Sequence, residues 1–201
     1  PIETRMRLGE GSVLLTSENL YRRKVAAIRE RLPALKHVLL YDENGGDTVQ
    51  IEGTLNLHQL LAQAEEAFTV ANTTADSPAL LHFTSGTTGT PKGVLHVHGA
   101  ALTHYVTGKY ALDLHPDDVF WCSADPGWVT GTSYGIIGPW SNGITQAVLD
   151  SGFGADRWYG FIEKRRISVW YSAPTAIRLL MREGTEAVKR HDLASLRHLA
   201  S

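Results

Sequence analysis

The 201 residues carry 19 basic against 21 acidic side chains, a formal net charge of −2, and 43% of them are apolar. That length fits one sizeable α/β domain or parts of two smaller ones, and the apolar fraction excludes a disordered chain. The balanced charge leaves no footprint for nucleic acid and no polybasic patch for a membrane surface. The single cysteine, Cys122, excludes an internal disulfide framework and a multi-cysteine metal site, and fits a reducing, cytoplasmic setting.

No apolar run approaches the roughly 20 residues that a membrane helix needs. Pro1 to Gly11 mixes acidic, basic and small residues rather than forming an apolar signal core. The chain has no initiator Met and stops at Leu199-Ala200-Ser201, just after an apparent strand, so it reads as a piece of a longer protein. Ser17 precedes a helical pattern with Tyr21, Val25, Ile28 and Leu32 on one face, and its side chain is suited to cap the first turn. The basic run Arg22-Arg23-Lys24 with Arg29 and Arg31 reads as a solvated face of that helix. Pro33 ends the helix, and Val38 to Tyr41 reads as a strand. Asn44-Gly45-Gly46-Asp47 signals a turn, and Leu57 to Phe68 a second helix.

The small, polar stretch Thr69 to Pro78 separates an incomplete helix–strand–helix subdomain over residues 1–75 from an α/β subdomain over 76–201. In the latter, short strands are expected at Ala79–Phe83, Val94–Val97, Val119–Cys122, Ile144–Leu149, Ile167–Tyr171 and Leu196–Leu199, alternating with helix-length segments. That alternation predicts a largely parallel sheet flanked by helices. Arg165 and Arg166 fall where a helix should end, at the pole that favours cations.

Between the first two of these strands lies Thr84-Ser85-Gly86-Thr87-Thr88-Gly89-Thr90-Pro91-Lys92-Gly93, with five hydroxyls, three glycines and one lysine in ten residues. A polyphosphate needs short donors, a backbone that can approach closely and a cation. The glycines allow the approach, successive amides can form an anion-binding concavity, and Lys92 adds the charge. A flexible surface turn has similar composition, but seldom lies between two apolar strands, here closed by Phe83 and reopened by Val94-Leu95. The kinase-type phosphate loop fails, because Pro91 stands where its second glycine belongs and Gly93 follows the lysine. The dinucleotide pattern fails too: Gly9 and Gly11 begin it, but Leu14 occupies the place of its third glycine.

The ten-residue loop resembles, nearly position for position, the signature phosphate loop of the adenylate-forming superfamily of acyl-CoA synthetases, adenylation domains and luciferases. Within it, Trp121-Cys122-Ser123-Ala124-Asp125-Pro126-Gly127-Trp128-Val129-Thr130-Gly131 resembles the acyl-pocket segment of AMP-forming acetyl-CoA synthetases. Tyr171-Ser172-Ala173-Pro174-Thr175-Ala176-Ile177-Arg178 resembles their strand-to-helix turn beside the pantetheine tunnel. The likeness is strong from about Ala79 onward and vague before Thr74, and marks the chain as part of a large N-terminal domain.

The resemblance implies two half-reactions: a small carboxylic acid and ATP give acyl-AMP and pyrophosphate, and CoA then takes the acyl group. It implies ATP, Mg2+ and CoA as cofactors, Thr84 to Gly93 as the grip on the ATP phosphates, and Trp128, Val129 and Thr130 beside the acyl group. Thr130 and Ala173 would lie along the CoA path. Motifs expected further along such enzymes, for adenine and magnesium, for ribose, and a C-terminal domain with its adenylation lysine, have no counterpart here. The isolated chain is therefore expected to be inactive, and no catalytic residue is assigned within it. A medium-chain or other small-acid ligase, or a non-catalytic nucleotide-binding remnant, remain as alternatives. On residue type alone Trp128 also suits an ordinary core, Ser172-Ala173-Pro174-Thr175 a simple helix start, and Cys122 a small buried hydrophobe. His96 and His98 share a strand face, with His104 following, but no further ligand stands at zinc spacing and no metal site is expected.

Overall fold

A computed structural model describes residues 2–46, 50–84 and 91–201. The chain divides into two compact units, one of Pro1–Thr73 with Ser77–His96, the other of Thr74–Asp76 with Val97–Ser201.

In the first unit, helix α1 (Ile2–Leu8) leads to β1 (Val13–Ser17) and α2 (Glu18–Leu20). Ser17 Oγ accepts the Leu20 amide at 3.3 Å, the cap its position predicts. The helix does not stay regular: a π-helical turn at Tyr21–Val25 and a 3-10 stretch at Ala26–Arg31 follow. These mixed turn widths still direct Tyr21, Val25 and Leu32 inward, against Leu35 and against Val38 and Leu40 of β2 (His37–Tyr41). β1, β2 and β3 (Leu55–Asn56) form a parallel sheet. In the turn after β2, Gly45 takes a φ of 77°, whereas Asp47 lies outside the described residues.

Asn56 caps α3, which covers Leu57–Gln63 and stops short of the expected Phe68. None of its residues is buried and Phe68 is 86% exposed, so no buried apolar face carries the helix on to that point, and a short helix without such a face frays. β4 (Pro78–Thr84) and β5 (Lys92–Val97) pair with each other. Residues 77–96 cluster with the first unit rather than with the 76–201 segment expected from sequence. Leu81 and Phe83 of β4 lie against the end of α1, where a Cβ on Gly9 would stand 3.4 and 3.5 Å from them.

The second unit holds α4 (Ala100–Tyr110), β6 (Val119–Cys122), α5 (Val129–Thr132), a π-helical turn (Ser133–Ile137), α6 (Gly138–Ser141) and β7 (Thr145–Gln146). It continues with α7 (Ala155–Arg165), β8 (Val169–Tyr171), α8 (Pro174–Arg182), α9 (Glu186–Lys189) and β9 (His198–Ala200). Its sheet runs β7-β6-β8-β9, every neighbouring pair parallel, as the alternation of strands and helices predicts. β7 is an edge strand of two residues, shorter than expected. Among the described residues no helix is long and apolar enough to cross a membrane.

One buried carboxylate ties the amino ends of three adjacent strands. Asp118, just before β6, is 5% exposed. Its Oδ1 accepts Ser168 Oγ at 2.7 Å and Arg197 Nε at 3.1 Å, and its Oδ2 accepts the His115 amide at 2.7 Å and Arg197 Nη2 at 2.5 Å. Ser168 precedes β8 and Arg197 precedes β9. Burial by itself would raise the Asp118 pKa, but the hydrogen bonds from Arg197 and Ser168 outweigh it and hold the carboxyl below its ordinary value. A lowered native pKa stabilises the fold above the unfolded aspartate pKa of about 3.9, and the gain disappears as pH falls through the native value. Asp118→Asn in the full-length protein should therefore destabilise this unit by about 3 kcal/mol at pH 7, read as a drop of several degrees in Tm. The gap to wild type should close as pH falls below about 4; a pH-independent gap would contradict the account.

Candidate functional site

Of the loop expected to hold phosphates, Ser85, Gly86, Thr87, Thr88, Gly89 and Thr90 lie outside the described residues. Their borders are placed: Thr84 ends β4 and Lys92 opens β5, both exposed, with Pro91 half-buried before it. A Cβ on Gly93 would stand 3.1 Å from Leu81 Cδ1 and 3.4 Å from Phe83 Cε1, so the glycine lets β5 lie close over the apolar residues of β4. His96 stands on β5. Its ring meets His82 of β4 edge to face, 5.6 Å between centroids. Burial, then the neighbouring His96, lowers the His82 pKa and favours the neutral imidazole. His82 is a residue sequence reasoning passed over, because its partner lies on the other strand.

The other two segments singled out in the sequence come together in the second unit. β6 leads to β7 on one side of it, while β8 leads to β9 on the opposite side, and β6 and β8 are neighbours. Connections that diverge from adjacent parallel strands open a crevice at the strands' carboxyl ends, the place where α/β sheets bind ligands. The loop after β6 begins at Ser123 and the loop after β8 at Ser172. The sheet holds both backbones, through Ser123 N–H to Tyr171 O at 3.0 Å and Ser172 N–H to Ala200 O at 2.9 Å. The two hydroxyl oxygens meet at 2.7 Å.

Beyond Ser123 the chain folds into a tight turn. Asp125 Oδ1 accepts the Gly127 amide at 2.6 Å, its carbonyl accepts the Trp128 amide at 2.9 Å, and Thr132 Oγ1 donates to Pro126 O at 2.7 Å. Gly131 makes the turn possible: a Cβ there would stand 2.8 Å from Pro126 N and closer still to the Asp125 carbonyl. The three candidate substrate contacts follow this turn unequally. Trp128 is 74% exposed, Val129 opens α5 at 46% exposed, and Thr130 is half-buried. On the other loop Ala173 is exposed at the cap position of α8, and Pro174 takes the first turn, where a missing N–H costs little.

Beside the crevice a cavity of about 780 Å³ opens between the ends of β6 and β7. Residues flanking the triplet line it, from Trp121 to Pro126 and again Gly131, with a far wall at 148–153 that no motif marked. The indole of Trp121 stacks on Trp170 at 5.3 Å and meets Trp158 edge to face at 5.2 Å. Asp125 and Asp150 are the charged residues of the lining, so this space suits an uncharged or cationic group better than a phosphate. Trp158 Nε1 and Gln146 Oε1 are buried without a hydrogen-bond partner in that wall. Burial pushes the Cys122 thiol up, which keeps it protonated and a poor nucleophile.

A family model described as AMP-binding enzyme matches residues 2–201. The chain belongs to the AMP-binding enzyme family. Among curated proteins, this AMP-binding enzyme chain is 43% identical over 200 residues to an acetyl-coenzyme A synthetase of Bacillus subtilis, covering 100% of the chain and 34% of that protein. It is 39% identical over 176 residues to an acetyl-coenzyme A synthetase of Escherichia coli, covering 84% of the chain and 26% of that protein. The chain thus spans roughly a third, or less, of the length of these relatives. A crystal structure of a Brucella canis acyl-CoA synthetase superposes with a TM-score of 0.87 at 28% identity, over 98% of this chain and 35% of that one. The anthranilate CoA ligase AuaEII in complex with anthranoyl-AMP superposes at 0.84 and 26% identity, over 98% and 37%. These neighbours share the α/β architecture with parallel strands that the sequence predicts.

Gly131→Ala tests the turn in this AMP-binding enzyme. The clash is with backbone, which cannot swing aside, so the substitution should cost about 1–3 kcal/mol and lower Tm by several degrees. An unchanged Tm would show that the 125–131 turn does not need the close approach.

Proposed function

We propose that the protein carrying this chain is an acid–thiol ligase that activates a small carboxylic acid, acetate, with ATP to acyl-AMP and passes the acyl group to CoA. The observation that carries this reading is the convergence of the Trp121–Gly131 and Tyr171–Arg178 segments on one crevice between β6 and β8. The acetyl-coenzyme A synthetases that align along the chain support the acid and the thiol, and the anthranoyl-AMP held by a neighbour of the same fold supports an acyl adenylate.

In this reading Thr84 to Gly93 hold the β- and γ-phosphates, with the exposed Lys92 as counter-charge to the departing pyrophosphate. The acid's carboxylate oxygen attacks the α-phosphorus of ATP and the bond to pyrophosphate breaks. Positioning and charge stabilisation provide most of the catalysis of such a displacement. Val129 and Thr130, with the indole of Trp128, border the acyl group, and Thr130 and Ala173 border the approach of the thiol. Mg2+ would accompany the phosphates of ATP. ATP and CoA as co-substrates accord with a cytoplasmic setting.

One observation favours a second reading, a medium-chain acid: the 780 Å³ cavity next to Gly131 is far larger than an acetyl group requires. An acid series decides between them. Under the acetate reading, wild-type kcat/KM falls from acetate through propionate and butyrate to hexanoate. Val129 is stiff at χ1, so Val129→Ala should raise kcat/KM for propionate and butyrate by about tenfold relative to acetate, with the KM for ATP nearly unchanged. A wild type that prefers hexanoate replaces acetate by the medium-chain acid.

A further inference from the structure

We infer that the Ser123–Ser172 hydroxyl pair is a positioning element for the thioester-forming half-reaction, setting the thiol-side loop against the acyl-side loop. The inference rests on the ligase reading above and goes beyond it, since neither serine carries a role there. Ser172 is 4% exposed, and both backbones are already fixed by the sheet, so the two hydroxyls are spare groups that found each other at 2.7 Å. A buried hydroxyl left without a partner is costly, so each holds the other in place. Their contact stands one residue beyond the last paired residues of β6 and β8, where the two loops begin. One residue beyond Ser172 stands Ala173, at the cap of α8 with no side-chain hydrogen bond to steady it. On the other strand, the turn that carries Trp128 to Thr130 starts two residues beyond Ser123, at Asp125.

In thioester formation the CoA sulfur attacks the acyl carbonyl carbon. The bond from that carbon to the AMP phosphate oxygen breaks, AMP leaves with the electron pair, and the thiol proton passes to solvent. Ala173 on one loop and Thr130 on the other border the sulfur's approach, while Trp128 to Thr130 border the carbonyl, so a small relative shift of the loops lowers the rate of this step. Adenylation joins the acid to ATP without the thiol-side loop, and the acyl-side loop it uses keeps its own ties through Asp125 and Thr132, so that step does not need the pair.

The test separates the half-reactions in the full-length protein, using acid-dependent pyrophosphate exchange into ATP and, separately, CoA-dependent turnover of preformed acetyl-AMP. Ser123→Ala, Ser172→Ala and the double variant should each slow the CoA step about 10- to 100-fold in kcat while leaving exchange within about twofold. The double variant should be no worse than either single one, because the hydroxyls act through each other. Ser123→Thr, which keeps the hydroxyl, should retain the CoA step. Unchanged CoA turnover in an active protein, or equal loss in both half-reactions with a lowered Tm, overturns the inference and leaves the ligase reading standing. Should Ser172→Ala fail to fold, the half-buried Ser123→Ala decides alone. A wild type inactive in both half-reactions overturns the ligase reading and this inference with it.

Discussion

The parallel register of β6 against β8 is the constraint on which the second unit depends. Phe120 pairs with Val169, Trp121 with Trp170 and Cys122 with Tyr171. Phe120 and Val169 are wholly buried, and the stacked indoles of Trp121 and Trp170 lie within 6° of parallel. Each fully buried large apolar side chain contributes about 1.5–3 kcal/mol, so the aromatic core gives most of the drive to pair these strands. A slip of one residue would turn Trp121 and Trp170 to opposite faces and dismantle the cluster. Polar groups then mark the two ends of the same pair. At the amino ends the Asp118 carboxylate holds Ser168 and Arg197, and at the carboxyl ends the two serine hydroxyls meet.

That arrangement separates stability from chemistry along one short strand pair. The amino ends hold the buried Asp118 carboxylate against the partly exposed Arg197, and losing the cation would leave that carboxylate underpaired. The carboxyl ends hold the loops that a ligand can reach, one stiffened by the Asp125 turn and the close approach at Gly131, the other started by Pro174. The parts differ in charge as well. The segment between β4 and β5, proposed to hold phosphates, has a lysine at its far border, whereas the cavity at the end of β6 is lined by aromatic rings and two carboxylates. Phosphates suit the former and an acyl or other uncharged group the latter.

Much of this was legible in the sequence where one local interaction decides the outcome. Ser17 caps its helix through a side chain three residues from its partner, and Val119 to Cys122 forms a strand from its own apolar run. Arg166, at the expected helix end, takes the left-handed cap conformation with φ of 54°. What depends on distant partners was not legible. The helix from Leu57 stops early because no core receives Phe68, and β4 sits with the first unit because the end of α1 covers Leu81 and Phe83. Of the candidate site, the motif segments were visible, but not that Trp128 stands exposed, nor that residues 148–153 form the far wall of the cavity. The Ser123–Ser172 contact joins residues 49 apart, a separation that periodicity cannot report.

Coupling of a carboxylic acid to ATP through an acyl adenylate, proposed for the protein carrying this chain, can be measured without CoA. Labelled pyrophosphate is supplied with ATP and the purified full-length protein, and its incorporation into ATP is followed with and without acetate. Reversible adenylate formation predicts incorporation only when the acid is present. Incorporation that ignores the acid, or none with any acid from acetate to hexanoate, would contradict the account.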